Sequence, residues 1–260
     1  MNRSIVTLLT DFGTSDGYVG AMKGVLFSGV PNVQVVDISH DIEPYNVRQA
    51  AFTLLNYAPY FPENTIHIVV VDPGVGTKRK GLVVETEDYF FIGPDNGVFS
   101  FIYQSSSFKV YQLHEEVFGT EISSTFHGRD VFVPAAVRII QGENLLEFAS
   151  PIREFISFYE PFRKKNDDEL LLKVIHIDHF GNLILNFTIN DWEKLGRVLN
   201  VKIKLKGGFL YGIKNTFGDV KEGQILTLWD SSGFLQIAQN KGNAAKYLNM
   251  KVGDTVILKL

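Results

Sequence analysis

Three short polar segments hold the residues with the most chemistry to offer. The first is Thr10-Asp11-Phe12-Gly13-Thr14-Ser15-Asp16-Gly17, directly after the apolar run Ile5–Leu9. A carboxylate at the end of a strand and ahead of a helix can accept hydrogen bonds from a sugar diol. The plainer reading is that Asp11 closes a turn and that Ser15 or Asp16 caps the helix. The second segment is Val71-Asp72-Pro73-Gly74-Val75-Gly76-Thr77-Lys78-Arg79, after the most apolar run of the chain. Its glycines let the backbone approach a ligand closely or take positive φ. Asp72 is partly desolvated at such a strand end, with Arg79 as a neighbouring opposite charge. Otherwise this is a surface turn with a solvated arginine. The GxxxxGK[ST] spacing of a phosphate-binding loop is absent. The third segment is Ser124-Thr125-Phe126-His127-Gly128-Arg129-Asp130. A histidine there can handle protons near neutral pH. A simple helix start would use Asp130 as the cap and leave His127 exposed.

The elements that position these segments are readable from hydrophobic periodicity. Ile5–Leu9, Val33–Val36, Ile66–Val71 and Leu82–Val84 are short, β-branched-rich runs, as expected for strands buried on both faces. Val19, Met22, Val25 and Leu26 recur at helical spacing within Asp16–Val30. Val47, Ala50, Ala51, Leu54 and Leu55 do the same within Asn46–Tyr57, where Asn46 with Gln49 forms an N-cap arrangement. A further helix is expected over Asp130–Gln141, with Pro134 near its first turn. Strand, helix, strand, helix, strand is the pattern of an α/β sheet.

The pattern changes near residue 161. The charged stretch Pro161–Glu169 reads as a linker. Beyond it lie strand-like segments at Leu170–Ile177, Leu183–Phe187, Val201–Leu205, Ile225–Trp229, Leu235–Gln239 and Val256–Leu260, separated by turn residues. Val201, Ile203 and Leu205 alternate with Lys202, Lys204 and Lys206, which predicts a half-exposed strand. The expected organisation is α/β: an N-terminal α/β domain with a mostly parallel central sheet over 1–162, then a smaller all-β, barrel-like domain over 170–260. The second domain adds Asp178-His179-Phe180-Gly181-Asn182, Thr216-Phe217-Gly218-Asp219 and Trp229-Asp230-Ser231-Ser232-Gly233. An asparagine amide can read a nucleobase edge and phenylalanine faces can sandwich the base, although turns and core aromatics use the same residues.

Bulk properties narrow the function. A net charge of −4 over 260 residues gives no basic excess for nucleic acid. The absence of cysteine excludes disulfides, zinc thiolates, iron–sulfur clusters and a thiol nucleophile. Ile5–Leu9 is too short for a signal segment and no apolar run reaches membrane-spanning length, so a cytoplasmic protein without a membrane partner is expected. No three or four potential ligands fall at metal-site spacing, so no metal or other cofactor is expected.

Seven ordered blocks, LLTDFGTSDGYVGAMKGV, VVDISHDIEPYNVRQAAF, VVVDPGVGTKR, FIGPDNGVFS, STFHGRDVFVPAA, IDHFGNLILN and WDSSGFLQIAQN, resemble those of the S-adenosylmethionine hydroxide adenosyltransferases, relatives of the fluorinase and chlorinase enzymes. The resemblance runs from Leu9 to about Val256. It implies a homotrimer with each active site between the N-terminal domain of one subunit and the C-terminal domain of the next. It implies Asp11 on the ribose hydroxyls, and Asp16, Asp178 and Ser231 on the methionine end. Phe180 and Phe217 would flank adenine, Asn182 would bond its edge, Tyr45 would sit beside the ribose, and Phe126 would line the reacting centre, with Gly128 next to His127. Fluorinase places a tyrosine at the Asp72 position and a serine at Gly128. Here Asp72, Arg79 and His127 form the set of the water-using branch. Ser232 stands where fluorinase has an arginine near the methionine carboxylate.

The expected reaction is attack of water on the ribose 5′ carbon of S-adenosylmethionine, giving adenosine and L-methionine. Asp72 and Arg79 would orient the water and neutral His127 would take its proton. Three alternatives stand beside it: a halide-using enzyme of the same superfamily, a non-catalytic adenosine- or S-adenosylmethionine-binding protein, and a metal-dependent hydrolase built on His40, Asp41, His67 and Asp72.

Overall fold

A computed structural model describes residues 4–104, 107–197, 200–205 and 207–260. The chain forms two compact units, one ending at Tyr159 and the other starting at Glu160.

The N-terminal unit is built on seven strands: β1 (Ile5–Thr10), β2 (Gln34–Ser39), β3 (Thr65–Val70), β4 (Gly81–Thr86), β5 (Tyr89–Pro94), β6 (Phe108–Leu113) and β7 (Ala149–Ile152), in the order β2-β1-β3-β5-β4-β6-β7. Pairing is parallel across β2-β1-β3-β5 and antiparallel from β5 through β4 and β6 to β7. The sheet is therefore mixed. β1 to β4 fall on the four apolar runs of the sequence, and parallel pairing holds among the first three. β5 was hidden because Tyr89-Phe90-Phe91-Ile92 neither alternates nor stands apart from β4, from which only Glu87-Asp88 separates it.

Helices α1 (Tyr18–Gly29), α2 (Val47–Tyr57) and α3 (Val133–Ile140) cover the sheet. Ile66, Ile68 and Val70 of β3 join a core with Met22 and Leu26 of α1 and Ala135 and Ala136 of α3. Val69 and Val71 join a second core with Ala50 and Leu54 of α2. Successive residues of a strand point to opposite faces. These two cores are thus the two faces of one sheet, which is why all of β3 is buried. Asn46 caps α2 as expected, accepting from Gln49 N at 3.0 Å. α1 starts two residues later than expected, with Gly17 at its N-cap and no side-chain cap from Ser15 or Asp16. One π-helical turn, Gly128–Phe132, precedes α3.

The C-terminal unit holds β8 (Arg163–Asn166), β9 (Glu169–Ile177), β10 (Leu183–Thr188), β11 (Lys202–Leu205), β12 (Gly208–Tyr211), β13 (Ile225–Trp229), β14 (Phe234–Gln239) and β15 (Thr255–Lys259). Their antiparallel order is β12-β11-β15-β9-β10-β14-β13, with β8 on β9. β12 and β13, at the two ends of that order, lie beside each other, so the sheet curls into a nearly closed barrel around Leu172, Leu185, Phe187 and Ile237. Two short helices, α4 (Ile189–Lys194) and α5 (Ala244–Leu248), complete the unit. The stretch read as a linker is in part β8, whose exposed charged residues suit a strand at the sheet's margin. Lys206 lies outside the described residues, while Lys202 and Lys204 are exposed on either side of buried Ile203.

His67 shows what the double burial costs. It lies on the α2 face of β3, fully buried, stacked on Phe91 at 5.1 Å and edged by Tyr57, Phe61 and Tyr89. Its Nδ1 pairs with Thr7 Oγ1 at 2.9 Å, and its Nε2 meets no hydrogen-bond partner among the described residues. Burial lowers its pKa from 6.5 to about 3. The unfolded chain therefore binds more protons than the folded one between those values, and stability falls as the pH drops through that window. Urea unfolding followed from about pH 7 to about pH 4 should show a steeper loss in the wild type than in His67→Gln. The difference should approach the one-proton limit of roughly 1.4 kcal/mol per pH unit. Parallel losses in the two proteins would contradict this account.

Candidate active site

Strand register brings the first two segments together. Thr10 of β1 pairs with Val70 of β3, so Asp11 and Asp72 leave neighbouring strands at the same end of the sheet. Leu9 lies opposite Ser39 of β2, which brings the following loop to Asp11. Gly13 N donates to the His40 carbonyl at 2.8 Å, and Tyr45 N donates to Asp11 Oδ2 at 2.9 Å. Tyr45 holds a left-handed backbone, φ 67°. A bulky side chain adopts that conformation at a cost of order 1–3 kcal/mol, and such strain persists where the surroundings impose it. The third segment docks on the second. Gly76, φ 71°, passes so close to the Ser124 carbonyl that a Cβ there would overlap it.

The three segments enclose a cavity of about 370 Å³ lined by Asp11, Phe12, Tyr18, Pro44, Tyr45, Val70, Asp72, Val75, Thr125, Phe126, His127 and Gly128. That volume suits a small organic molecule. Phe12, Tyr18 and Phe126 form an aromatic wall, each ring 5.4–5.8 Å from the other two. Arg79 does not line the cavity. It bridges two residues that do.

The Arg79 guanidinium is held on three sides. Nε donates to Asp72 Oδ2 at 2.9 Å, and Nη2 donates to the same oxygen at 2.6 Å. Nη2 also lies 2.8 Å from His127 Nδ1. Nη1 donates to Glu115 Oε1 at 3.2 Å. The group sits 5.4 Å from the Phe132 ring centre. The side chains of Arg79 and Asp72 are 8% and 4% exposed. Charge-assisted bonds in such a water-poor site are shorter and stronger than neutral ones.

This geometry fixes the state of His127. A guanidinium has no lone pair to give, so Nδ1 must be the acceptor. The neutral ring then carries its proton on Nε2. The electrostatics agree: burial holds His127 below its ordinary pKa, Glu115 pulls it up, and Arg79 pushes it down further. His127 is buried rather than exposed, which rules out the simple helix-start reading of this segment. Asp130 is engaged elsewhere, by Arg129 at 2.6 and 2.9 Å and by Ser123 N at 2.9 Å. The bonds from Arg129 hold its carboxyl below the usual range.

The C-terminal unit gathers its own cluster. Asp178 Oδ1 accepts from Phe180 N at 3.0 Å and Asn182 N at 2.8 Å, and Oδ2 accepts from Asn182 Nδ2 at 2.8 Å. The buried Asn182 keeps its amide oxygen free of that bond. Phe180 and Phe217 are both exposed, at 71% and 39%. Ser231 is exposed in the turn after β13, beside Asp230, which accepts from Ser232 N at 2.9 Å and Phe234 N at 2.8 Å. Burial raises the Asp230 pKa, and the nearby charge of Asp178 adds to the rise.

Of the N-terminal residues singled out from sequence, Asp11, Tyr45, Asp72, Phe126, His127 and Gly128 line one cavity, and Arg79 joins two of them. Asp16 does not line it and is exposed. Asp178 and Asn182 are bonded to each other in the other unit. Two residues escaped the sequence reading. Glu115 lies in a single helical turn after β6, outside any glycine-bearing motif. Asp230 was passed over for its neighbour Ser231, although a carboxylate before Ser-Ser-Gly is an ordinary turn signal. The metal-hydrolase alternative loses its ligand set. His67 is walled in by aromatic rings, and among the described residues no three His, Asp or Glu side chains converge on one point.

Comparison with known proteins gives a consistent result. Residues 6–149 match the N-terminal domain model of the SAM hydroxide adenosyltransferases, and residues 172–257 match the C-terminal domain model. A curated (R)-S-adenosyl-L-methionine hydrolase from Methanocaldococcus jannaschii is 37% identical, over 97% of this chain and 94% of its own. A fluorinase from Actinoplanes sp. is 26% identical over 97% of this chain and 96% of its own. The crystal structure of an uncharacterized conserved protein from Thermotoga maritima superposes with a TM-score of 0.86 at 32% identity, covering 98% of this chain and all of that one. The chain belongs to the SAM hydroxide adenosyltransferase family.

Proposed function

We propose that this protein hydrolyses S-adenosyl-L-methionine to adenosine and L-methionine. The observation that carries the reading is the convergence of Asp72 and His127 on one cavity, joined behind it by Arg79. It sits in a chain that is 37% identical to the M. jannaschii hydrolase over 97% of its length. Asp11 binds the ribose hydroxyls, with Oδ1 free of the bond from Tyr45. Tyr45 lies beside the ribose, and Phe126 and Gly128 line the reacting centre. Asp178, Asp16 and Ser231 hold the amino-acid end, while Phe180, Phe217 and Asn182 hold the adenine. Asp16 and the residues around the reacting centre belong to the N-terminal unit, and the other five belong to the C-terminal unit. A homotrimer that supplies one set from each of two neighbouring subunits would unite them, and the exposure of Phe180 and Phe217 suits residues covered on assembly. Low net charge and the absence of cysteine fit a cytoplasmic enzyme without nucleic-acid or membrane partners.

In the reaction, water oxygen bonds to C5′ as the C5′–S bond breaks, and the electron pair leaves on sulfur. A sulfonium leaves as a neutral thioether, so no acid is needed there. The cost lies in the nucleophile, since bulk water has a pKa of about 15.7. Asp72, braced by Arg79, accepts a hydrogen bond from the water and aims its oxygen. The departing proton goes to the Asp72–His127 cluster; the one lone pair of the His127 ring is Nδ1, and taking the proton there breaks its bond from Arg79 Nη2. No cofactor takes part. The halide-using alternative meets a buried carboxylate where an anion would have to bind.

Incubation with S-adenosylmethionine in oxygen-18 water should yield adenosine labelled at the 5′ hydroxyl, with unlabelled methionine. Methylthioadenosine or adenine as product, or unlabelled adenosine, would overturn the reading. Asp72→Asn and His127→Ala should each lower kcat by about 100-fold or more while changing KM little, the pattern of groups acting in the transition state. Full activity in both would refute their roles. Native mass spectrometry should give three times the chain mass. An active monomer would exclude sites shared between subunits.

A further inference from the structure

We propose that Glu115 is a positioning residue of the reacting cluster: it fixes the outer arm of Arg79 and is the acceptor to which the Nδ1–H of His127 turns when the ring takes up a proton. The inference rests on the hydrolytic reading above and deepens it.

Arg79 spends Nε and Nη2 on Asp72, which leaves Nη1 as the remaining edge of a rigid, planar group. Glu115 Oε1 meets Nη1 at 3.2 Å. The same oxygen lies 3.5 Å from His127 Nδ1. While the ring is neutral, Nδ1 accepts from Nη2 at 2.8 Å. Once protonated, Nδ1 is a donor facing another donor, and that contact becomes repulsive. Glu115 Oε1 is then the carboxylate within reach. One oxygen can thus serve both states of the ring, bonding Nη1 throughout and drawing Nδ1–H after proton transfer.

The charge balance points the same way. The groups that face His127 are Arg79 and Asp72 from the loop after β3, Glu115 from the turn after β6, and Asp130 from its own turn. Asp130 is paired with Arg129. The remaining two carboxyl groups outnumber the single guanidinium, so adding a proton to the ring neutralises the cluster. Without Glu115, that proton would place a second cation against Arg79 with only Asp72 to offset both. Glu115 is partly exposed, with its side chain at 33%, so it can shift without opening the buried Asp72–Arg79 pair.

The test is Glu115→Gln, which keeps the shape and one acceptor oxygen but removes the charge. The nitrogen shifts of His127 are followed by NMR against pH, with the signal assigned by its loss in His127→Gln. In the wild type, neutral His127 should carry its proton on Nε2. In the variant, its protonation midpoint should move to lower pH, and the acid limb of the kcat profile should move with it. Plateau kcat should fall roughly 10- to 100-fold, the rate equivalent of one charge-assisted hydrogen bond, with KM held within about twofold. Glu115→Asp, which restores the charge, should recover part of both shifts. An unmoved midpoint in Glu115→Gln, or a change confined to KM, overturns the proposal. So does a Glu115→Asp variant that behaves like Glu115→Gln. The titration needs no turnover: a shifted midpoint in a protein that forms no adenosine would support the geometry and sink only the hydrolytic reading.

Discussion

Everything in the N-terminal site turns on what a guanidinium cannot do. It donates on every edge and accepts on none. Arg79 therefore imposes a role on each neighbour: acceptor for both oxygens of Asp72, acceptor for Nδ1 of His127, acceptor for Glu115. The tautomer of the histidine follows from this. So does the orientation of the carboxylate, which cannot rotate without losing a two-pronged bond. An arginine of low exposure, itself outside the cavity, is what makes two cavity residues rigid. Lysine could supply the charge but not the planar fork, so it could not hold both partners in one geometry.

The sheet supplies the frame. Parallel strands end together, and β1 and β3 deliver Asp11 and Asp72 to one place without any long loop having to fold precisely. The rest is close packing of backbone. Gly76 accepts a distance to Ser124 that a side chain would forbid, and this brings His127 into reach of Arg79. Tyr45 shows the opposite use of local conformation. Its strained backbone is tied to the carboxylate that would grip the sugar, so the cavity mouth and its main polar contact are coupled through a single hydrogen bond.

The parts legible in the sequence were those with local signatures. β1 and β3 announced themselves as short apolar runs, Asn46 as a cap, and the three polar segments as carboxylate, guanidinium and imidazole set among glycines. What stayed hidden depends on partners remote in the chain. β5 has no strict alternation because residues on both of its faces are buried, and β6 mixes buried and exposed residues without a strict period of two. Glu115 meets Arg79 across 36 positions, and nothing in His114-Glu115-Glu116 distinguishes one glutamate from the other. Only the fold selects which of them points at the guanidinium. The same holds for Asp178 and Asp230, two ordinary turn carboxylates until the barrel sets them near each other and burial lifts one of them.

Charge counting links this arrangement to the choice of nucleophile. A halide arrives with a negative charge and no proton, so a site for it gains from donors and loses from buried carboxylates. Water arrives neutral and must shed a proton as it attacks. A site for water therefore gains from a surplus of acceptors, provided they are held where the proton leaves. Asp72 and Glu115 against one Arg79 are such a surplus, and His127 is the group that can record the transfer. Arg79 carries one positive charge against two carboxylates, so one negative charge is left for the proton to meet. A cluster so charged is better suited to tolerate a proton than to bind an anion.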